Sequence, residues 1–204
     1  MNTQTITIRG RSFTIPEYYQ RVDPMPDDPE ESVPCMTGTD NAVCFMIAYP
    51  AEMSKSLPRT KDDLIAGIRK YLGDNQGLIQ VEAEEDHVFS IVKSLMEPGG
   101  VQYIFTYQKF YPDFILEINA FFEEAGIKGQ RDSMVYGLCS KQGIVGSGED
   151  PFKGWACDPY DESIRQGKLM NLSEHEKYDA MFPGHPLSMC RELIRVLTGN
   201  DERK

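Results

Sequence analysis

Between residues 78 and 122 the chain alternates apolar runs with short turn-forming clusters, and this stretch limits what it can fold into more than any other. Leu78 to Ala83, Val88 to Leu95, Val101 to Gln108 and Phe114 to Phe122 read as four consecutive strands. The clusters between them are Glu84-Glu85-Asp86-His87, Glu97-Pro98-Gly99-Gly100 and Phe110-Tyr111-Pro112-Asp113. Apolar runs bounded by such clusters are a hairpin signal, so the stretch predicts an antiparallel meander.

The faces of these strands predict the architecture. In the third, Val101, Tyr103, Phe105 and Tyr107 share one face, while Gln102, Thr106 and Gln108 lie on the other, interrupted by Ile104. In the fourth, Phe114, Leu116, Ile118, Ala120 and Phe122 share a face opposite Glu117 and Asn119. An apolar face is what helices cover in an α+β domain. Ile104, Ile115 and Phe121 break the wetter face and ask for a partial cover there too, by helices or a long loop.

The remaining segments fall into place around the meander. Thr5 to Ile8 and Ser12 to Ile15 flank Gly10 as an N-terminal hairpin, and the Pro- and Asp-rich residues 21 to 34 form an exposed loop. Cys35-Met36 and Ala42 to Tyr49 form a second hairpin, whose strand is apolar on both faces and so central. Thr60 caps a helix carrying Leu64, Ile65, Ile68 and Leu72. A second helix spans Gly129 to Ser140, with Met134, Val135 and Leu138 as its apolar stripe. Ser173 to Glu176 fits a capping box for a short helix ending near Met181, and Pro186 opens a last helix that stops at Gly199, with a polar tail beyond it expected to fray. The division expected is a core over residues 1–143 and a C-terminal extension, residues 144–204, of an irregular segment plus two helices packed on the core.

Composition narrows the function classes. A net charge of −11 lacks the basic footprint that nucleic acid or an anionic membrane requires, and describes an acidic protein. No signal peptide is recognisable at the N-terminus, and no apolar run reaches the ~20 residues of a membrane helix. Cys35, Cys44, Cys139, Cys157 and Cys190 are odd in number and widely spaced, as expected of reduced thiols in a cytoplasm.

Catalytic chemistry finds little support. Glu82, Glu84, Glu85, Asp86 and His87 are the densest set of possible metal ligands, but they lack an EF-hand's spacing and read as a charged hairpin tip. No cofactor and no metal are expected. A nucleophilic cysteine needs a base, and only His87, His175 and His185 could be histidine partners. Cys157, in a loop beside Asp158, is the one cysteine not read as packing; His175 and His185 read as helix-end residues. Phe152, Trp155 and Tyr160, with Tyr178 and Phe182, can line a pocket or anchor an interface, or can lie back over the sheet as cover for Ile104, Ile115 and Phe121.

The order of elements, with Asp63-Leu64-Ile65-Ala66-Gly67-Ile68 in the first helix and Phe121-Phe122 closing the meander, resembles the PsbP-like (Mog/PsbP) α/β/α sandwich and is similar to bacterial proteins of that kind. The resemblance covers about residues 1 to 143 and implies partner binding more often than enzyme activity. The expectation is a non-enzymatic binding or adaptor protein, with Phe152, Trp155, Cys157, Asp158 and Tyr160 as the ligand or partner surface. The alternative is a small-molecule binding protein or hydrolase, with a pocket between the sheet and residues 144–172.

Overall fold

A computed structural model describes residues 2–199; the polar tail expected to fray lies outside them. The chain opens with a two-stranded sheet, β1 (Thr3–Ile8) and β2 (Arg11–Pro16). Next come β3 (Gln20–Arg21), β4 (Val33–Thr39), β5 (Ala42–Ala51) and α1 (Lys61–Arg69). The meander is β6 (Gln76–Ala83), β7 (His87–Leu95), β8 (Val101–Phe110) and β9 (Ile115–Glu124). After it come α2 (Gln130–Lys141), a small hairpin of β10 (Ala156–Cys157) and β11 (Met170–Asn171), and α3 (Pro186–Thr198). Seven strands form one antiparallel sheet in the order β3-β4-β5-β9-β8-β7-β6. The predicted α+β class holds, and β5 is interior, as its apolar faces predicted.

The two faces of this sheet are covered unequally. On the inner face Cys44, Met46, Phe89, Ile91, Tyr103, Phe105, Tyr107, Leu116, Ile118, Ala120 and Phe122 join one cluster with the β1–β2 hairpin and with Leu187, Cys190, Leu193, Ile194 and Leu197 of α3. On the outer face α1 sets Leu64 and Ile65 on Leu78, Val81 and Val88, which covers only the β6–β7 side. Helices therefore lie on both faces, but the outer layer is incomplete.

The local signals decide where elements start. Thr60 Oγ1 accepts the Asp63 N–H at 3.3 Å and starts α1. His185 Nδ1 accepts the Leu187 N–H at 3.2 Å and starts α3, with Pro186 in the first turn. Two expectations shift. The buried side of α2 is Arg131, Val135 and Cys139, while Met134 and Leu138 point to solvent. An arginine at stripe spacing is buried here because its guanidinium is fully bonded. The capping box lies two residues earlier than expected: Asn171 accepts the Ser173 N–H at 2.8 Å and Glu174 accepts the Asn171 N–H at 2.7 Å. The short helix expected after it is a 3₁₀ turn over Glu176–Met181 rather than an α-helix.

Residues 144–172 do not cover Ile104 and Phe121. Phe121 is 37% exposed, and the segment instead wraps the β6 edge. Lys168 N–H donates to the Gln76 carbonyl at 3.1 Å. The approach is so close that a Cβ on Gly77 would stand 1.6 Å from the Lys168 carbonyl oxygen. Gly77→Ala is expected to push this segment off the edge, read as new proteolytic cleavage between residues 157 and 170.

Phe105 is wholly buried in the inner cluster. Its truncation to alanine is expected to cost about 3–5 kcal/mol in urea unfolding. A loss below about 1 kcal/mol, the range of surface changes, would contradict the packing described.

Candidate functional site

The five residues singled out from the sequence do not converge. The β10–β11 hairpin divides them. Phe152 and Trp155 go to α2, with ring centroids 5.5 and 5.2 Å from Tyr136. Trp155 is half-buried beside Val135, Cys139, Val145, Leu172, Tyr178 and Phe182, whereas Phe152 is 65% exposed. Asp158 and Tyr160 go to the other side. Asp158 accepts Arg69 Nη2 of α1 at 2.5 Å and the backbone N–H groups of Tyr160 and Asp161 at 2.9 and 3.0 Å. Tyr160 Oη accepts the Val81 N–H at 2.6 Å and lies 3.3 Å from the Val81 carbonyl.

Cys157 is exposed between these groups. It shares a shallow groove of about 540 Å³ with Ile79, Asp158, Met170, His175 and Arg191. Burial, and then the nearby Lys177 and Arg191, hold His175 below its usual range. The Asp158 carboxylate is committed to Arg69 and its own turn, so it is not a free base. Burial pushes Cys35, Cys44 and Cys190 upward, Cys44 to about 12, so these thiols stay protonated near neutrality. At the β6–β7 turn Asp86 pairs with His87 Nδ1 at 2.7 Å and with Lys109 at 3.3 Å. Among the described residues no three His, Cys, Asp or Glu groups are placed to hold one ion.

Sequence reasoning missed a buried set of charges under α3. Asp179 Oδ1 accepts Arg131 Nη2 at 2.9 Å and Arg191 Nη1 at 3.1 Å. Arg131 also donates to the Ser173 and His175 carbonyls, and Arg191 to the Glu174 carbonyl and Gln80. Glu174 binds Lys93 at 2.7 Å and Tyr103 Oη at 3.0 Å. Ser173 Oγ donates to Asp132. His185 Nε2 lies 3.6 Å from Glu124. Burial pushes Glu124 up, but the bonds from His185, Gly129 and Val101 outweigh it and hold the carboxyl below its usual range. No hydroxyl or thiol nucleophile in this set faces an unoccupied base, and its chemistry is that of a brace.

The outer sheet face presents something different. Register places Met36, Phe45, Phe121 and Ile104 side by side across β4, β5, β9 and β8. Val92 continues the row under the edge of α1. Met36 is 42% exposed, Phe121 37% and the neighbouring Val43 46%. None of these belongs to a core cluster. Beside them Glu117 accepts Tyr49 Oη at 2.5 Å, Gln108 Nε2 at 2.8 Å and Asn119 Nδ2 at 3.0 Å. The alternation at Ile104 and Phe121 was the sequence signal for this face; that it stays open was not visible there.

No protein-family model and no curated protein matches the chain. Solved structures do. The Saccharomyces cerevisiae Ran-binding protein Mog1p is 10% identical, over 67% of this chain and 84% of that one, with a TM-score of 0.45. A point mutant of protein Mog1 is also 10% identical, over 96% of this chain and 95% of that one, with a TM-score of 0.47. Mog1 proteins are thus among the structural neighbours, at a likeness that transfers no residue role to this chain. Among the described residues no helix is long and apolar enough to cross a membrane.

Asp179→Asn leaves two buried guanidinium groups facing a neutral partner. It is expected to cost about 3–5 kcal/mol in chemical unfolding, the usual cost of breaking a buried ion pair. The pH dependence comes from the depressed groups. Glu124 contributes stability that is present above its unfolded pKa of about 4.3 and lost as pH falls through its lower folded value. His175 adds a loss that begins as pH falls below about 6.5, where the unfolded chain takes up the proton more readily. Glu124→Gln is expected to remove part of the loss below pH ~4.3, and His175→Asn part of that starting near pH ~6.5, in unfolding free energies measured against pH.

Proposed function

We propose that this protein is a non-enzymatic binding or adaptor protein, and that the open outer face of its sheet is where a protein partner docks. The observation that carries this reading is the in-register row Met36–Phe45–Phe121–Ile104, which no helix of the chain covers. Exposed apolar side chains are ordinary when scattered; a contiguous row rimmed by polar groups is characteristic of an interaction site. The row includes phenylalanine and methionine, residue types enriched at interfaces. Residues 1–143 carry this face, and residues 144–204 are an extension packed on that core. Five unpaired cysteines suit a reducing compartment such as the cytoplasm.

A second reading, small-molecule binding or hydrolysis, has one observation in its favour: Cys157, Asp158 and His175 line the same groove. It lacks a free base beside the thiol, because Asp158 is bonded by Arg69 and two backbone amides. Phe152, Trp155 and Tyr160 take part in that surface only as its supports.

The two readings separate by capture from the native host with wild-type protein and with Phe121→Asp and Cys157→Ser variants. The docking reading expects a partner retained by wild type and by Cys157→Ser and lost with Phe121→Asp. Phe121 is 37% exposed, so the variant should melt within a few degrees of wild type. A partner or ligand lost only with Cys157→Ser would transfer the function to the groove.

A further inference from the structure

The charge pattern of the open face indicates what docks on it. Every lysine or arginine in the seven strands, Arg21, Lys93 and Lys109, points to the inner face: Arg21 pairs with Cys35, while Lys93 and Lys109 alternate with outer-face residues of β7 and β8. The outer face of the same strands carries two carboxylates, Glu117 and Glu123, on β9 on either side of Phe121. Glu117 is held by three neutral donors, and among the described residues neither carboxylate forms an ion pair. From β4 to β8 the row crosses three strand spacings, about 14 Å, against ~10 Å for the diameter of a helix. The open area lies beside α1, in the layer that α1 leaves unfinished.

We propose that the occupant is an amphipathic helix of another protein, with an apolar seam flanked by lysine or arginine. This rests on the docking reading above and specifies its partner. The apolar seam would cover Met36, Phe45, Phe121 and Ile104, and the flanking cations would neutralise Glu117 and Glu123. A second copy of this chain is the poorer occupant. It would bring four unpaired carboxylates into one apolar interface, and each copy carries a net charge of −11.

Two synthetic peptides of helical spacing test this, one of leucine and lysine and one of leucine and glutamate, each monitored by backbone amide shifts of the labelled protein. The leucine–lysine peptide is expected to move amides of β4, β5, β8 and β9, and to bind about tenfold more weakly to Phe121→Ser. The double change Glu117→Gln with Glu123→Gln is expected to weaken it several-fold and flatten its salt dependence. The leucine–glutamate peptide is expected not to bind. Shifts mapping elsewhere, equal binding of both peptides, or no effect of the Glu→Gln pair would overturn the proposal. So would sedimentation showing a dimer that Phe121→Ser dissolves. If the face binds without regard to charge, only this inference fails; if Phe121→Asp leaves native capture unchanged, the docking reading itself fails.

Discussion

One carboxylate, Asp179, stands between two arginines, and the C-terminal part of the molecule is arranged around it. Arg131 comes from α2, Arg191 from α3, and Asp179 from the 3₁₀ turn between them. Removing three charges from water costs several kcal/mol each, and only close, well-directed bonds offset that. The arrangement therefore tolerates one placement of the three elements. Glu174 extends it to the sheet through Lys93 and Tyr103. The 3₁₀ turns from Leu172 to Met181 have weak bonding of their own, so these side chains and carbonyl contacts fix them. Since α3 supplies a large part of the inner cluster, the apolar core and the ionic brace support one another.

The same division separates what was legible in the sequence from what was not. Strands β6 to β9 were legible because alternation reports directly on burial, and Tyr103, Phe105, Leu116 and Ile118 are where it placed them. Thr60, Pro186 and Gly199 were legible because a cap answers to local backbone geometry. Arg131 was not. It takes the first place in the i, i+4, i+8 stripe with Val135 and Cys139, but its burial depends on acceptors far along the chain, at Ser173, His175 and Asp179. The capping box was ambiguous for a related reason. Asn171 with Glu174 and Ser173 with Glu176 both satisfy the local rule, and Lys93 and Tyr103 select the first by binding Glu174. The aromatic residues of 152–160 were correctly noticed as a group in the sequence. A hairpin of two residues per strand then sends Trp155 toward α2 and Tyr160 toward β6, a separation that composition cannot express.

The sheet could in principle recruit another chain by its edges instead of its face. Both edges are occupied. At β4 the strand β3 pairs with Cys35 and Met36, and the Val22 N–H continues along the same side to the Pro34 carbonyl. At β6 Lys168 takes the Gln76 carbonyl, and the Tyr160 hydroxyl bonds the N–H and faces the carbonyl of Val81. A strand added at either side would first have to break these bonds, and such capping is how proteins suppress edge-to-edge association. The inner face is filled by α3 and the N-terminal hairpin. There remains the part of the outer face that α1 does not reach, where the apolar groups of β4, β5, β8 and β9 still meet water. Covering them would gain roughly 25 cal/mol for each Å² removed from water without disturbing a hydrogen bond of the sheet. Association through the face is thus the route that the closed edges leave open, and the carboxylates on β9 set the charge of what can use it.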